Sequence, residues 1–287
     1  MTERVLIIGA GQVGRGLFRA FQAAGGIDVL GLHGRRPSAF TTSSGPLPAV
    51  IGNANTVIVA VRDDQIDGVL ETLVSERRSG TRGRLASGTV VLHTSGAAEP
   101  SSLSTLQDNG LCGGTFHPLV PFANPDRASA LLKHAWIGID GDDQARATSR
   151  RLAGHLGART LDIPAGGKGL YHAAAVMSSN FPVVLASLAS ELLSKLGIPE
   201  RSAEQAVHGL MEAAVSNVAD IAPDEALTGP VARGDSDTVM RHLAALRSHV
   251  EARAVYKRMS LAAIDIAARR GVDPAQLESI RKMLLLR

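Results

Sequence analysis

Five side chains of this sequence pair a reactive or hydrogen-bonding group with a position that can hold it still: Ser95, His117, Lys168, His172 and Asn180. Ser95 stands in His93-Thr94-Ser95-Gly96-Ala97, directly after a β-type run. A hydroxyl there can hold a carboxamide or a substrate oxygen, or it can close a tight turn. His117 ends a second such run and is followed by Pro118. An imidazole fixed in that way can aim one nitrogen at a substrate, and its unperturbed pKa suits proton exchange. Capping the turn is the structural alternative. At about 100° per residue, Lys168, His172 and Ser179 share one stripe of a helix, with Asn180 about 80° from His172. Lys168 or His172 can deliver a proton to a developing alkoxide or amine, and Asn180 can orient a substrate. Polar groups on an apolar helix must also be satisfied, so structural roles compete. Further on, Arg233 can grip a carboxylate or pair with Asp235 or Glu225, while Asp235 reads as a helix N-cap.

Another set of residues binds. The apolar run Arg4-Val5-Leu6-Ile7-Ile8 leads straight into Gly9-Ala10-Gly11-Gln12-Val13-Gly14, a G-x-G-x-x-G pattern between a strand and a helix. Gly9 permits a tight turn, Gly11 a close approach of backbone to a pyrophosphate, and Gly14 tight packing of helix on strand. The helix start around Gln12 and Val13 offers unpaired N–H groups to phosphate. No carboxylate ends the next strand, where an NAD site would place one. Arg35, Arg36 and Ser38 stand there instead. Guanidinium forks suit a 2′-phosphate, so this reads as NADP(H), with a solvated basic turn as the plain alternative. Thr41, Thr42 and Ser43 can add hydroxyls. Val61 and Arg62 follow a third strand, where a loop normally passes over the cofactor. Arg62 can touch phosphate or ribose, or the loop can be a surface turn with Asp63 capping a helix.

The elements that must position these residues are legible as strands at 4–8, 28–32, 56–61, 89–93, 113–116, 135–139 and 158–162. Helical patterns fall at 13–24, 65–77, 101–108, 126–132 and 142–156. After Ala165-Gly166-Gly167 only helices follow, at 168–196, 200–220, 236–248, 249–270 and 274–285. The first of these is mostly apolar all round and is expected to be buried in a bundle or an interface, with a kink at Pro182. The expected fold class is α/β: a Rossmann doubly wound parallel sheet over 1–164, then an all-α domain over 165–287.

The 287 residues are 45% hydrophobic but 3% aromatic, with a formal net charge of +3. With no aromatic platform and no basic stripe, nucleic acid is not an expected partner. The single cysteine, Cys112, excludes an internal disulfide and a thiolate cage, and no metal site is expected. There is no signal-peptide layout and no uninterrupted apolar stretch of membrane-spanning length. A cytoplasmic protein without a membrane partner is expected.

The segments Gly9–Gly14, His93–Ala97, Phe116–Phe122, Tyr171–Asn180 and Leu227–Asp235 carry a family resemblance. The N-terminal half resembles the NADP-binding Rossmann domain shared by ketopantoate reductase, pyrroline-5-carboxylate reductase, β-hydroxyacid dehydrogenases and prephenate dehydrogenase. The C-terminal half resembles the 6-phosphogluconate dehydrogenase C-terminal-like domains. The whole chain looks most like the branch whose helical domain is catalogued as domain of unknown function 2520. The resemblance implies an oxidoreductase moving hydride between NADP(H) and a C=O or C=N carbon of a small carboxylate-bearing carbonyl, hydroxy acid or imine. It also implies a homodimer through the helical domain and an active site in the interdomain cleft. Ketopantoate-like acids are one hint of substrate. In ketopantoate reductases a catalytic Lys and Asn lie four residues apart on the first long helix. Here Lys168 and Asn180 are farther apart and position 172 is His. In prephenate dehydrogenases a Ser and a His-Pro pair serve catalysis, and Ser95 and His117-Pro118 fall in corresponding places. A non-catalytic NADP-binding sensor or partner subunit is the rival reading, and a deazaflavin-using reductase a weaker one.

Overall fold

The computed structural model describes residues 2–99 and 101–286. It divides into two compact units between Asn180 and Phe181.

The first unit is built on one sheet. Its strands are β1 (Glu3–Ile8), β2 (Ile27–Gly34), β3 (Ser43–Ser44), β4 (Thr56–Val59), β5 (Val90–His93), β6 (Cys112–Pro118), β7 (Trp136–Gly141) and β8 (Arg159–Asp162). They lie in the order β3-β2-β1-β4-β5-β6-β7-β8. The central strands are continuous apolar runs because both faces are covered. In β1, Val5 and Ile7 enter one core with Leu17, Phe21 and Phe116. Leu6 and Ile8 enter the other with Val57, Leu70 and Leu73. Burying each such side chain is worth roughly 1.5–3 kcal/mol. The covering helices are α1 (Gln12–Ala24), α2 (Ile66–Ser79), α3 (Leu103–Asp108), α4 (Ala128–Leu132) and α5 (Asp143–His155).

The expectation of a wholly parallel sheet needs one correction: β6 and β7 are antiparallel. A parallel crossover needs a helix spanning the sheet. The segment between these strands supplies only the five-residue α4, which packs on α1. The chain therefore re-enters the sheet from the end it left.

The helix α6 (Lys168–Lys195) runs through Pro182 as one element. The boundary of the compact units falls inside it, rather than at the Ala165–Gly167 joint expected from the sequence. Its first turns are fastened to the sheet by Lys168 and Tyr171. The expected burial of α6 is not met within this chain. By length and composition it could cross a membrane, and none of its most apolar window is buried. Leu170, Met177, Phe181, Val183 and Val184 are all exposed.

The second unit holds the rest of α6 with α7 (Glu200–Asp220), α8 (Pro223–Ala226), α9 (Ser236–Ala245), α10 (Val250–Arg269) and α11 (Pro274–Leu285). Val231, Val239, Ile264, Leu277, Ile280 and Leu284 form its core. Asp235 caps α9 by accepting from the Thr238 amide, and Asp273 caps α11 by accepting from the Ala275 amide.

Candidate active site

The glycine loop sits where β1 ends beside β2, and the Gly9 amide donates to the His33 carbonyl at 2.8 Å. Gly9 has φ +115°, and a Cβ on it would strike the Ala60 carbonyl. A Cβ on Gly14 would strike the Gly9 carbonyl. Both glycines are therefore demanded by the turn itself. Gly11 differs, because a Cβ on it would meet nothing within 4 Å. It caps α1 without a side-chain hydrogen bond, and no acidic residue occupies the first turn, which begins Gln12-Val13-Gly14. The free N–H groups and the positive end of the helix dipole thus face open space above Gly11, an arrangement that fits a diphosphate. Val61 flanks the turn: the same Cβ on Gly9 would lie 3.1 Å from its Cγ1.

Beyond β2, Arg35 and Arg36 are exposed, with no ion pair among the described residues. Ser38 accepts from the Phe40 amide at 3.3 Å and Thr41 bonds the Ser38 amide at 3.1 Å, so the loop is turned on itself. Thr42 and Ser43 spend their hydroxyls on Leu32 and His33. Sequence reasoning missed Arg15, whose guanidinium lies 3.5 Å above the centre of the Phe40 ring. This cation–π contact ties the Arg35–Thr41 loop to α1, beside the glycine loop. Arg62 is exposed and pairs with Asp64 at 3.2 Å. The Asp63 cap does not form, since a short 3₁₀ turn precedes α2 and no side chain caps either.

Across β5, β6 and β7 the register aligns His93 with Thr115 and Thr115 with Asp140. Lys168 reaches into this row and is 2% exposed. Its ammonium donates to Thr115 Oγ1 at 2.7 Å and the Ala98 carbonyl at 2.8 Å, and pairs with Asp140 Oδ2 at 3.0 Å. Those three oxygens suffice for its three protons, and His93 Nε2 lies a further 3.3 Å from the ammonium. Burial, and then the Lys168 charge, pull His93 down to about 3, so its ring is neutral. His93 Nδ1 accepts from the Ser95 amide and Nε2 meets Thr115 Oγ1 at 3.0 Å. Ser95 Oγ accepts from the Ala97 and Ala98 amides at 3.2 and 2.9 Å. Lys168 and Ser95, both considered for chemistry from the sequence, are engaged in holding this turn to the sheet.

Two residues along β6, and so on the same face, the next row aligns His117 with Gly138 and Gly138 with Leu161. Here Tyr171 enters from α6, its hydroxyl 2.7 Å from His117 Nδ1. The rings meet edge to face at 79°, and His172 meets His117 at 67° with centroids 5.8 Å apart. Burial, and then His172, lower His117 to about 4. His172 Nδ1 is buried without a partner. His117, Leu161, Tyr171, His172, Ser179 and Asn180 line one cavity of about 840 Å³. The structure therefore brings together His117, His172 and Asn180, and adds Tyr171, to which the sequence assigned no role. Its only signal there was a second polar ring next to His172.

Comparison with known proteins fits this picture. Residues 135–263 match the family model described as domain of unknown function DUF2520. The match begins in the sheet, at β7, and is not confined to the helices. No curated protein matches the sequence. Among solved structures, a candidate NADP oxidoreductase from Bacteroides fragilis is similar at 21% identity and TM-score 0.71, covering 92% of this chain and 98% of that one. Protein TM1727 from Thermotoga maritima is similar at 22% identity and TM-score 0.67, covering 93% and 99%. The pyrroline carboxylate reductase of Plasmodium falciparum, solved with NADP bound, is similar at 12% identity and TM-score 0.59, covering 98% of each chain. At these identities the likeness is one of fold. The chain is an α/β protein with a Rossmann-type sheet and a C-terminal helical region, and its residues 135–263 match DUF2520.

Proposed function

We propose that this protein is an NADP(H)-dependent oxidoreductase acting on a small, carboxylate-bearing carbonyl or imine. The observation that carries the reading is the uncapped start of α1 above Gly11, one strand away from the exposed Arg35-Arg36 pair. Fold relatives include a reductase solved with NADP and a reductive aminase from Aspergillus terreus solved with NADPH, which supports the same reading. Gly9–Gly14 would hold the diphosphate, with Val61 and Arg62 at the loop edge. Arg35, Arg36 and Ser38 would hold the 2′-phosphate. When bound, the cofactor supplies or accepts the hydride. His117 and His172 serve the substrate's oxygen or nitrogen from the cavity, and Asn180 orients it. Lys168 fixes the floor beneath them. A second copy of the chain covers the open apolar surface of α6, an assembly that light scattering of the full chain reads directly.

The test is calorimetric titration with NADPH and NADH. NADPH should bind at least tenfold more tightly, and the double variant R35A/R36A should erase the difference, since hydrogen bonds to charged groups are worth about 1.5–3 kcal/mol each. Equal affinities in the unaltered protein refute the cofactor assignment.

A further inference from the structure

Tyr171 makes its contact through two glycines. On β7, a Cβ on Gly138 would collide with the Tyr171 hydroxyl, so the phenol occupies the space that only glycine leaves opposite His117. On the other side, a Cβ on Gly96 would lie 2.7 Å from His117 Cε1 and 2.8 Å from His172 Nδ1. The His117 ring is thus held between a phenol and a bare glycine, with little freedom to rotate.

We infer that Tyr171 is a positioning residue: its hydroxyl donates to His117 Nδ1, which leaves the ring hydrogen on Nε2 and fixes His117 as a neutral N–H donor. The phenol has one hydrogen. Its one hydrogen-bond partner among the described residues is His117 Nδ1, so that hydrogen is free for the ring. Burial raises the Tyr171 pKa and lowers that of His117, so neither ring is charged near neutrality. The titratable groups that act on His117 are Tyr171, bonded to it, together with His172, Lys168, His93 and Asp63. A neutral imidazole N–H polarises a carbonyl or imine without adding a full charge to the site. His172, the other imidazole lining the cavity, is then the ring left to exchange the proton. This division of labour rests on the proposed oxidoreductase reading, whereas the tautomer itself does not.

The experiment is long-range ¹H–¹⁵N correlation on the full chain with ¹⁵N-labelled histidine, without cofactor or substrate. His117 should show a pyridine-type Nδ1 and a pyrrole-type Nε2. In Tyr171→Phe, which keeps the ring, that pattern should collapse toward a tautomer average and the His117 titration midpoint should rise, because a bond to the neutral form is lost. Gly138→Ala, which displaces the hydroxyl with Tyr171 present, should do the same. A hydrogen on Nδ1 in the unaltered protein, or a pattern unmoved by Y171F, overturns the inference. Such a result leaves the NADPH titration untouched, so the two failures can be told apart.

Discussion

Two neighbouring rows of the sheet receive side chains from the first two turns of α6, and they put them to opposite uses. The row His93–Thr115–Asp140 takes Lys168 and closes on it: every ammonium proton has an acceptor, and the side chain is all but sealed from solvent. The row His117–Gly138 takes Tyr171 and stays open, with a cavity on one side and an unpartnered nitrogen on His172. Lys168 and Tyr171, three positions apart on one helix, thus enter surroundings that differ in how far they are closed. In the first row the ammonium is saturated, although Asp140 Oδ1 is itself without a partner, and a cation held in that way stabilises. The second row instead borders a cavity with His117 and His172 in its lining, where ring nitrogens can meet a ligand.

The contrast can be broken most severely at Lys168. Lys168→Met leaves the Asp140 carboxylate inside the fold without its cation, and should cost about 3–5 kcal/mol in urea unfolding. His172→Gln should cost under about 1 kcal/mol, as a volume-similar change at a partly exposed position. If the two variants unfold alike, the division between the rows fails. In turnover the order reverses: H172Q should lose about 10²–10⁴-fold in kcat with NADPH affinity unchanged, the usual range for a lost acid–base group.

The pH dependence of stability sharpens the comparison next. His93 and His117 titrate near 3 and 4 in the folded chain, against an ordinary 6.5. Their folded pKa values are depressed bases, so between those values and 6.5 the unfolded chain binds more protons. Their contribution is complete above about pH 6.5 and is lost as the pH falls toward 4. Thermal unfolding midpoints should drop over that interval, and His93→Gln should flatten the drop. The smallest effect on turnover belongs to Ser95. Its hydroxyl closes a turn, so Ser95→Ala should cost about 1 kcal/mol in unfolding free energy and leave kcat within twofold. A large loss of kcat there would return Ser95 to the chemistry.

The sheet was readable in the sequence because runs such as Thr56–Val61 and Thr89–His93 are apolar on both faces and are bounded by turn residues. The direction of β7 was not, since it depends on how far a short connecting helix reaches. Helical spacing placed Lys168 and His172 on one stripe but carried no information about which sheet row each would meet. Tyr171 became meaningful only when strand register put Gly138 opposite His117. The glycine loop was legible in full because its geometry is local, while the Arg15–Phe40 contact that clamps its neighbouring loop joins residues distant in sequence.

The most direct test of the account is NADPH oxidation followed at 340 nm against a panel of 2-keto acids and cyclic imines, using cofactor deuterated at C4 and mass analysis of the product. The account predicts that at least one member of the panel is reduced with deuterium on the former C=O or C=N carbon. Tight NADPH binding with no panel member reduced would contradict it and mark the chain as a binding protein instead.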